Sequence, residues 1–248
     1  MLASHVVREA WLASLIRTPL LFAGAALTGL LLVLSGQPWQ AYGMFSVVYF
    51  TAVNLVCWWW LGRRLLAAGR GFRDLLGRFR AADLGWALVW LTVLNVPYYL
   101  TVLGSLMLLY PGDFVRGVTE AFTPLVVIDL PGWLAWPYAL FSVIVFPLLN
   151  APIEELLYRG YAQEGFEAAG RRRTALFGTS LGFAIQHGFL AGSWRGAVAF
   201  IVAFFVWGLG AALVKRRQGR LFPLVIAHFV TNLALSTTPL LMVLGVFG

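Results

Sequence analysis

The sequence predicts an all-α fold: a polytopic bundle of seven to eight transmembrane helices with its N-terminus in the cytoplasm. Three observations lead there. Of 248 residues, 60% are hydrophobic and only 11% charged, with a mean hydropathy of +0.82. A soluble domain carries roughly a quarter charged residues, so this chain lacks the charge to solvate a water-facing surface. Several apolar runs reach or approach the ~20 residues that cross a hydrocarbon core. The basic residues fall in short loops between those runs, on alternate sides.

The spans divide at turn residues and charges. Span 1, about residues 19–34, follows Arg8 and Arg17 and ends at Ser35-Gly36-Gln37-Pro38. No small-x-small cleavage site follows it, so it reads as an uncleaved first helix rather than a signal peptide. Span 2, about 41–61, ends at Gly62-Arg63-Arg64; span 3, about 84–109, carries Pro97 as an expected kink. Spans 4 to 7 follow at about 133–157, 174–190, 196–214 and 221–235. The apolar tail, 239–247, is too short to span alone and is expected in the interface or as a partial eighth helix. Residues 62–83 are long enough for a basic amphipathic surface helix with Phe72, Leu75, Leu76 and Phe79 on its apolar side. The whole chain, 1–248, reads as one integral membrane domain, with accessory helices in 1–110 and a chemistry-bearing core in 133–236.

With the N-terminus inside and the spans alternating, only Arg116 and Arg195 of the 18 Lys and Arg fall outside. Cytoplasmic basic loops are the usual determinant of orientation, and they suit anionic headgroups. The net charge of +8 is therefore read as a lipid and topology signal, not a nucleic-acid one. The expected location is the plasma (inner) membrane. The single cysteine, Cys57, excludes an internal disulfide framework and reads as a small membrane-buried hydrophobe.

Ionisable groups inside spans are costly and are functional candidates by default. Here they are Glu154 and Glu155 in span 4, His187 in span 5 and His228 in span 7, with Asn232 one turn beyond His228. Glu155 and Arg159 stand at i, i+4 and can pair. Glu154, about 100° round the helix, is left unneutralised by that pair and suits a general base. His228 and Asn232 share one helical face. One carboxylate, two imidazoles and an amide on three helices supply a base for water, a group to orient it, and oxyanion donors. Glu154, His187 and His228 also match the ligand set of a hydrolytic zinc site. A transporter using the same groups as a proton or ion path, and a non-catalytic scaffold or immunity protein, are the readings from other classes.

The motifs Glu154-Glu155-x-x-x-Arg159, Phe183-x-x-x-His187 and His228-x-x-x-Asn232, in that order on separate helices, resemble those of the CPBP family. These are the type II CAAX prenyl endopeptidases and their bacterial relatives, also called Abi proteins. The resemblance implies an intramembrane glutamate-type endopeptidase with a cavity opening to the cytoplasm. Its substrate would be a prenylated or otherwise membrane-anchored protein. It implies Glu154 as the water-activating base, His187 as its partner, His228 and Asn232 as the oxyanion site, and Glu155 with Arg159 as a structural pair. Glu155 is then expected to turn away from Glu154. Depth is the open point: His187 lies 13 residues into span 5, about 20 Å. Glu154 reaches that depth only if span 4 runs helically past Arg159, or if span 5 begins below the membrane surface.

Overall fold

The computed structural model describes residues 2–123 and 126–246. Its elements are helical throughout: α1 (Leu2–Leu15), α2 (Arg17–Leu34), α3 (Ser46–Ala67), α4 (Phe72–Leu76), α5 (Ala82–Leu109), α6 (Phe114–Phe122), α7 (Gly132–Leu140), α8 (Phe146–Glu155), α9 (Gln163–Ala168), α10 (Arg172–His187), α11 (Trp194–Gln218), α12 (Phe222–Leu235) and α13 (Thr238–Val243). Two π-helical stretches, Phe141–Val145 and Leu156–Ala162, join α7, α8 and α9 into one long rod. Pro147 and Pro152 sit in or beside α8 and remove backbone donors there. The wider π turns keep the rod continuous across them.

Among the described residues, six helical stretches are long and apolar enough to cross a membrane: Ser4–Leu34, Trp39–Ala67, Ala82–Leu109, Gly132–Ala168, Trp194–Gln218 and Phe222–Val243. The chain is a multi-pass membrane protein. The seventh expected crossing, 174–190, is shorter than that. It is the 16-residue α10 and one 3₁₀ turn, Gly188–Leu190. Its interior holds Thr179, Ser180 and Gln186, which lower its hydropathy. α10 survives as a helix by burying one side against α11, to which it runs antiparallel: Ser180 lies at Gly208 and Gly188 at Ala197 and Ile201.

Two further expectations change. The chain before span 1 is helical, and α1 packs on α9 and α10 through Ala10, Phe166 and Ala175. The approach is closest at Gly182, where a Cβ would lie 2.1 Å from the Ser14 carbonyl oxygen; only a missing side chain lets these backbones meet. Residues 62–83 form no long surface helix: α3 runs on to Ala67, and only Phe72–Leu76 is helical beyond it. Gly69 and Gly77, at φ +66° and +77°, take the turns that end those helices. The tail forms the short helix α13, Thr238–Val243, the partial helix expected there. It continues the last crossing, and Phe247 lies outside the described residues.

The basic residues gather at one end of the bundle. Arg64 meets Glu9 at 3.2 Å, Lys215 and Arg70 meet Glu164 at 3.0 and 3.4 Å, and Arg220 grips Asp83 with two nitrogens. The opposite end carries a largely neutral and acidic set. There Tyr110 Oη bonds Glu120 at 2.8 Å and Ser193 at 3.0 Å, and Ser142 Oγ donates to the Ser236 carbonyl at 2.9 Å.

Candidate active site

The rod through α8 runs past Arg159 to Ala168, which removes the depth mismatch. Glu154 lies 14 residues before that end, about 21 Å by the helical rise. His187 lies 15 residues beyond Arg172, about 22 Å on the same basis. The two therefore sit at one level, and His228 on α12 joins them.

Four charged side chains are fully buried there: Arg17, Glu154, Glu155 and Arg159. Two guanidiniums and two carboxylates balance to zero formal charge, the condition under which ions persist away from water. Glu154 is thus not unneutralised. Arg17 Nη2 donates to its Oε1 at 2.7 Å, and Gln186 Nε2 donates to the same oxygen at 2.9 Å. Arg17 spends its remaining donors on Gln186 Oε1, Asn54 Oδ1 and Asn150 Oδ1. Asn54 Nδ2 adds a bond to Asn150 at 3.1 Å. Arg17, expected as a loop charge that sets topology, is the first residue of α2, at a fork of four acceptors. A planar guanidinium with five fixed donors suits such a fork, where an ammonium does not.

Glu155 does not turn away. Its Oε1 accepts from Arg159 Nη1 at 3.3 Å and also faces His228 Nδ1 at 2.9 Å. The other ring nitrogen, His228 Nε2, stands 3.4 Å from Glu154 Oε2. His228 therefore bridges the two carboxylates. Arg159 is held from beneath by Phe183, whose ring centroid lies 4.2 Å from its guanidinium carbon. It also donates to the Gly208 carbonyl at 3.3 Å. Phe183 in turn stacks on Trp207 at 5.3 Å.

His187 makes no hydrogen bond to Glu154; its neighbour Gln186 does. His187 Nδ1 lies 2.7 Å from the Phe183 carbonyl, and its ring stacks on Phe204 at 3.6 Å between centroids. A carbonyl only accepts, so Nδ1 carries the hydrogen and Nε2 is left with a lone pair. Asn232 is 8% exposed, and its Nδ2 has no partner.

A cavity of about 630 Å³ sits over this cluster. Asn150, His187 and Asn232 reach it, and Phe50, Tyr98 and Phe204 are among its walls. Glu154 is one turn beneath Asn150 and does not line it. The cavity's other end is bounded by Gln40, Val127, Trp136 and Met242, all in segments away from the arginine-rich end. The cavity thus extends away from the basic end of the bundle. Beneath the carboxylates, Tyr158, Arg159, Phe183 and Trp207 are packed with at most 3% exposure.

The zinc alternative through Glu154, His187 and His228 meets a crowded donor set. Among the described residues no cluster of three or more His, Cys, Asp or Glu stands in a metal-holding arrangement. Arg17 and Gln186 occupy Glu154 Oε1, which leaves a cation only Oε2, beside His228 Nε2.

Sequence reading missed Arg17, Asn54, Asn150 and Gln186. The signal was present for two of them. Asn54 is a lone amide in an apolar run, and Arg17 stands in Leu15-Ile16-Arg17-Thr18-Pro19-Leu20.

These features define a class: a multi-pass membrane protein with a charge-balanced acid–imidazole cluster under an internal cavity. Residues 135–234, which hold Glu154, Glu155, Arg159, His187, His228 and Asn232, match the family model described as Type II CAAX prenyl endopeptidase Rce1-like. The match covers 100 of the 248 residues. Neither comparison with curated proteins nor comparison with solved structures gives a match.

Proposed function

We propose that the chain is an intramembrane endopeptidase of glutamate type, hydrolysing a peptide bond of a membrane-anchored protein. The observation that carries the reading is the asymmetry of Glu154. Arg17 and Gln186 occupy Oε1, while Oε2 accepts no hydrogen bond and faces His228. Oε2 is then the oxygen that takes a proton from water. His187, with Nε2 as an acceptor at the cavity, orients that water. Asn232 Nδ2 supplies a donor to the tetrahedral oxyanion, while His228, with both ring nitrogens on carboxylates, positions Glu154 Oε2. Glu155 and Arg159 hold His228 in place. The anchor of the substrate, prenyl or other, is a matter for the assay. The arginine-rich end is placed against the anionic cytoplasmic leaflet of the plasma membrane, with the N-terminus inside.

Reconstituted protein and a panel of membrane-anchored peptides test this. Wild type is expected to produce new peptide termini. Asn232→Ala is expected to lower kcat roughly 10²–10³-fold, the usual cost of losing one oxyanion donor. An unchanged kcat in Asn232→Ala removes that role. Chelation is expected to leave turnover unaltered. Loss on chelation with recovery by zinc would move the assignment to Glu154, His187 and His228 as ligands.

A second reading has one observation in its favour. Glu154 is fully buried and ion-paired, as a structural pin would be. A folded wild type that cleaves nothing in the panel supports this non-catalytic scaffold.

A further inference from the structure

We infer that the site is served from the face opposite the arginine-rich end, so that its substrate is an extended polypeptide segment presented from the non-cytoplasmic side. The inference rests on the peptidase reading for its substrate class, and on packing and charge for its direction.

Packing comes first. Toward the arginine-rich end the cluster is sealed by Tyr158, Arg159, Phe183 and Trp207. On the other side the cavity reaches from Asn150 and His187 to Val127 and Trp136. The cavity gives water and substrate room on that side.

Charge gives the side a name. The cavity end carries only Arg116 and Arg195 of the 18 basic residues. Arg116 is paired with Glu120 at 2.6 Å, and that guanidinium holds the Glu120 carboxyl below its usual range. Asp129 adds a carboxylate at the mouth. A bundle with nearly all of its loop Lys and Arg at one end places that end in the cytoplasm.

The occupant follows from the dimensions. Trp136 and Asn150 are 14 residues apart on one rod, about 21 Å along its axis. An extended chain covers that depth with about six residues at ~3.3 Å each. A folded domain does not fit in 630 Å³; an unstructured terminus or loop does. At the bottom, the unpartnered and 92%-buried Asn232 amide offers Nδ2 to a carbonyl oxygen, the group that every peptide unit presents. The substrate is accordingly an exported or translocated segment tethered to the membrane.

Single cysteines placed in the wild-type background test the direction, because the native Cys57 is buried and serves as the blank. Val127→Cys and Trp136→Cys report on the cavity mouth, and Arg217→Cys reports on the basic end. With a membrane-impermeant maleimide, the two mouth cysteines are expected to label roughly tenfold faster in intact cells than in inside-out vesicles, and Arg217→Cys the reverse, since thiol reactivity follows access. Having two mouth positions guards against one variant failing to fold. Mouth cysteines that label only in inside-out vesicles overturn the inference, whatever the protein cleaves. Labelling from outside, with no cleavage of any peptide by wild type, keeps the access side and removes the peptidase reading beneath the substrate class.

Discussion

Arg17→Ala is expected to strip most of the folded protein from the membrane. The substitution leaves the Glu154 carboxylate fully buried with no cation, and leaves the Asn54 and Asn150 carbonyl oxygens without their common donor. Removing one partner of a buried ion pair costs about 3–5 kcal/mol, against a total stability of roughly 5–15 kcal/mol for a folded domain. Thermal unfolding of detergent-purified protein reads the loss directly. Arg17→Lys is expected to recover only part of it, because one ammonium cannot reach four acceptors in a plane. Arg17→Ala combined with Glu154→Gln is expected to recover more, since the uncompensated charge is gone. A melting temperature unmoved by Arg17→Ala would show that the pair contributes nothing to the fold.

Glu154→Gln is the counterpart on chemistry. The amide keeps an oxygen for Arg17 and Gln186, so the fold is expected to persist with a smaller loss than that of Arg17→Ala. It has no basic oxygen, so turnover is expected to fall by about 10²–10⁴, the range that a positioned general base contributes. The two variants thus separate the roles of one ion pair: one mainly removes structure, the other mainly removes reaction. Turnover of a verified substrate by Glu154→Gln within about tenfold of wild type, well short of that range, would sink the assignment of Glu154 as base.

The elements legible in the sequence were those that obey the bilayer. Spans 2, 3 and 6 are long apolar runs cut by Gly, Pro or Arg; α5 and α11 extend the expected ranges by a few residues, and α3 starts at Ser46 after a 3₁₀ stretch and runs on to Ala67. What the sequence hid was set by contacts inside the protein. α1 reads as a charged N-terminal segment because His5, Arg8 and Glu9 interrupt it. It is helical because it packs against α9 and α10, and no periodicity announces that partner. Residues 62–83 have the composition of a surface helix, but Gly69, Gly71 and Gly77 break the pattern that the apolar residues suggest.

The site divides in the same way. The polar groups at helical spacing, Glu155 with Arg159, and His228 with Asn232, could be found because they lie within a turn of each other. Arg17 and Glu154 are 137 residues apart, and only the folded chain brings them together. Reading Glu155 as turned away from Glu154 used the helix angle alone. It omitted His228, which is wide enough to touch both carboxylates from a third helix. The direction of the cavity was an inference from kinship; in the folded chain the cavity extends away from the basic end.

The separation between Arg17 and Glu154 also sets a timetable. Arg17 leaves the ribosome first, and its counter-ion follows 137 residues later, roughly 7–30 s at ordinary rates of synthesis. An arginine at mid-bilayer without a partner is costly to insert. The first helix must therefore wait, with its arginine held at the inner water boundary or sheltered by the insertion machinery, until the glutamate is made. Docking of the N-terminal helix is then a late step of biogenesis, although its residues are the earliest to emerge.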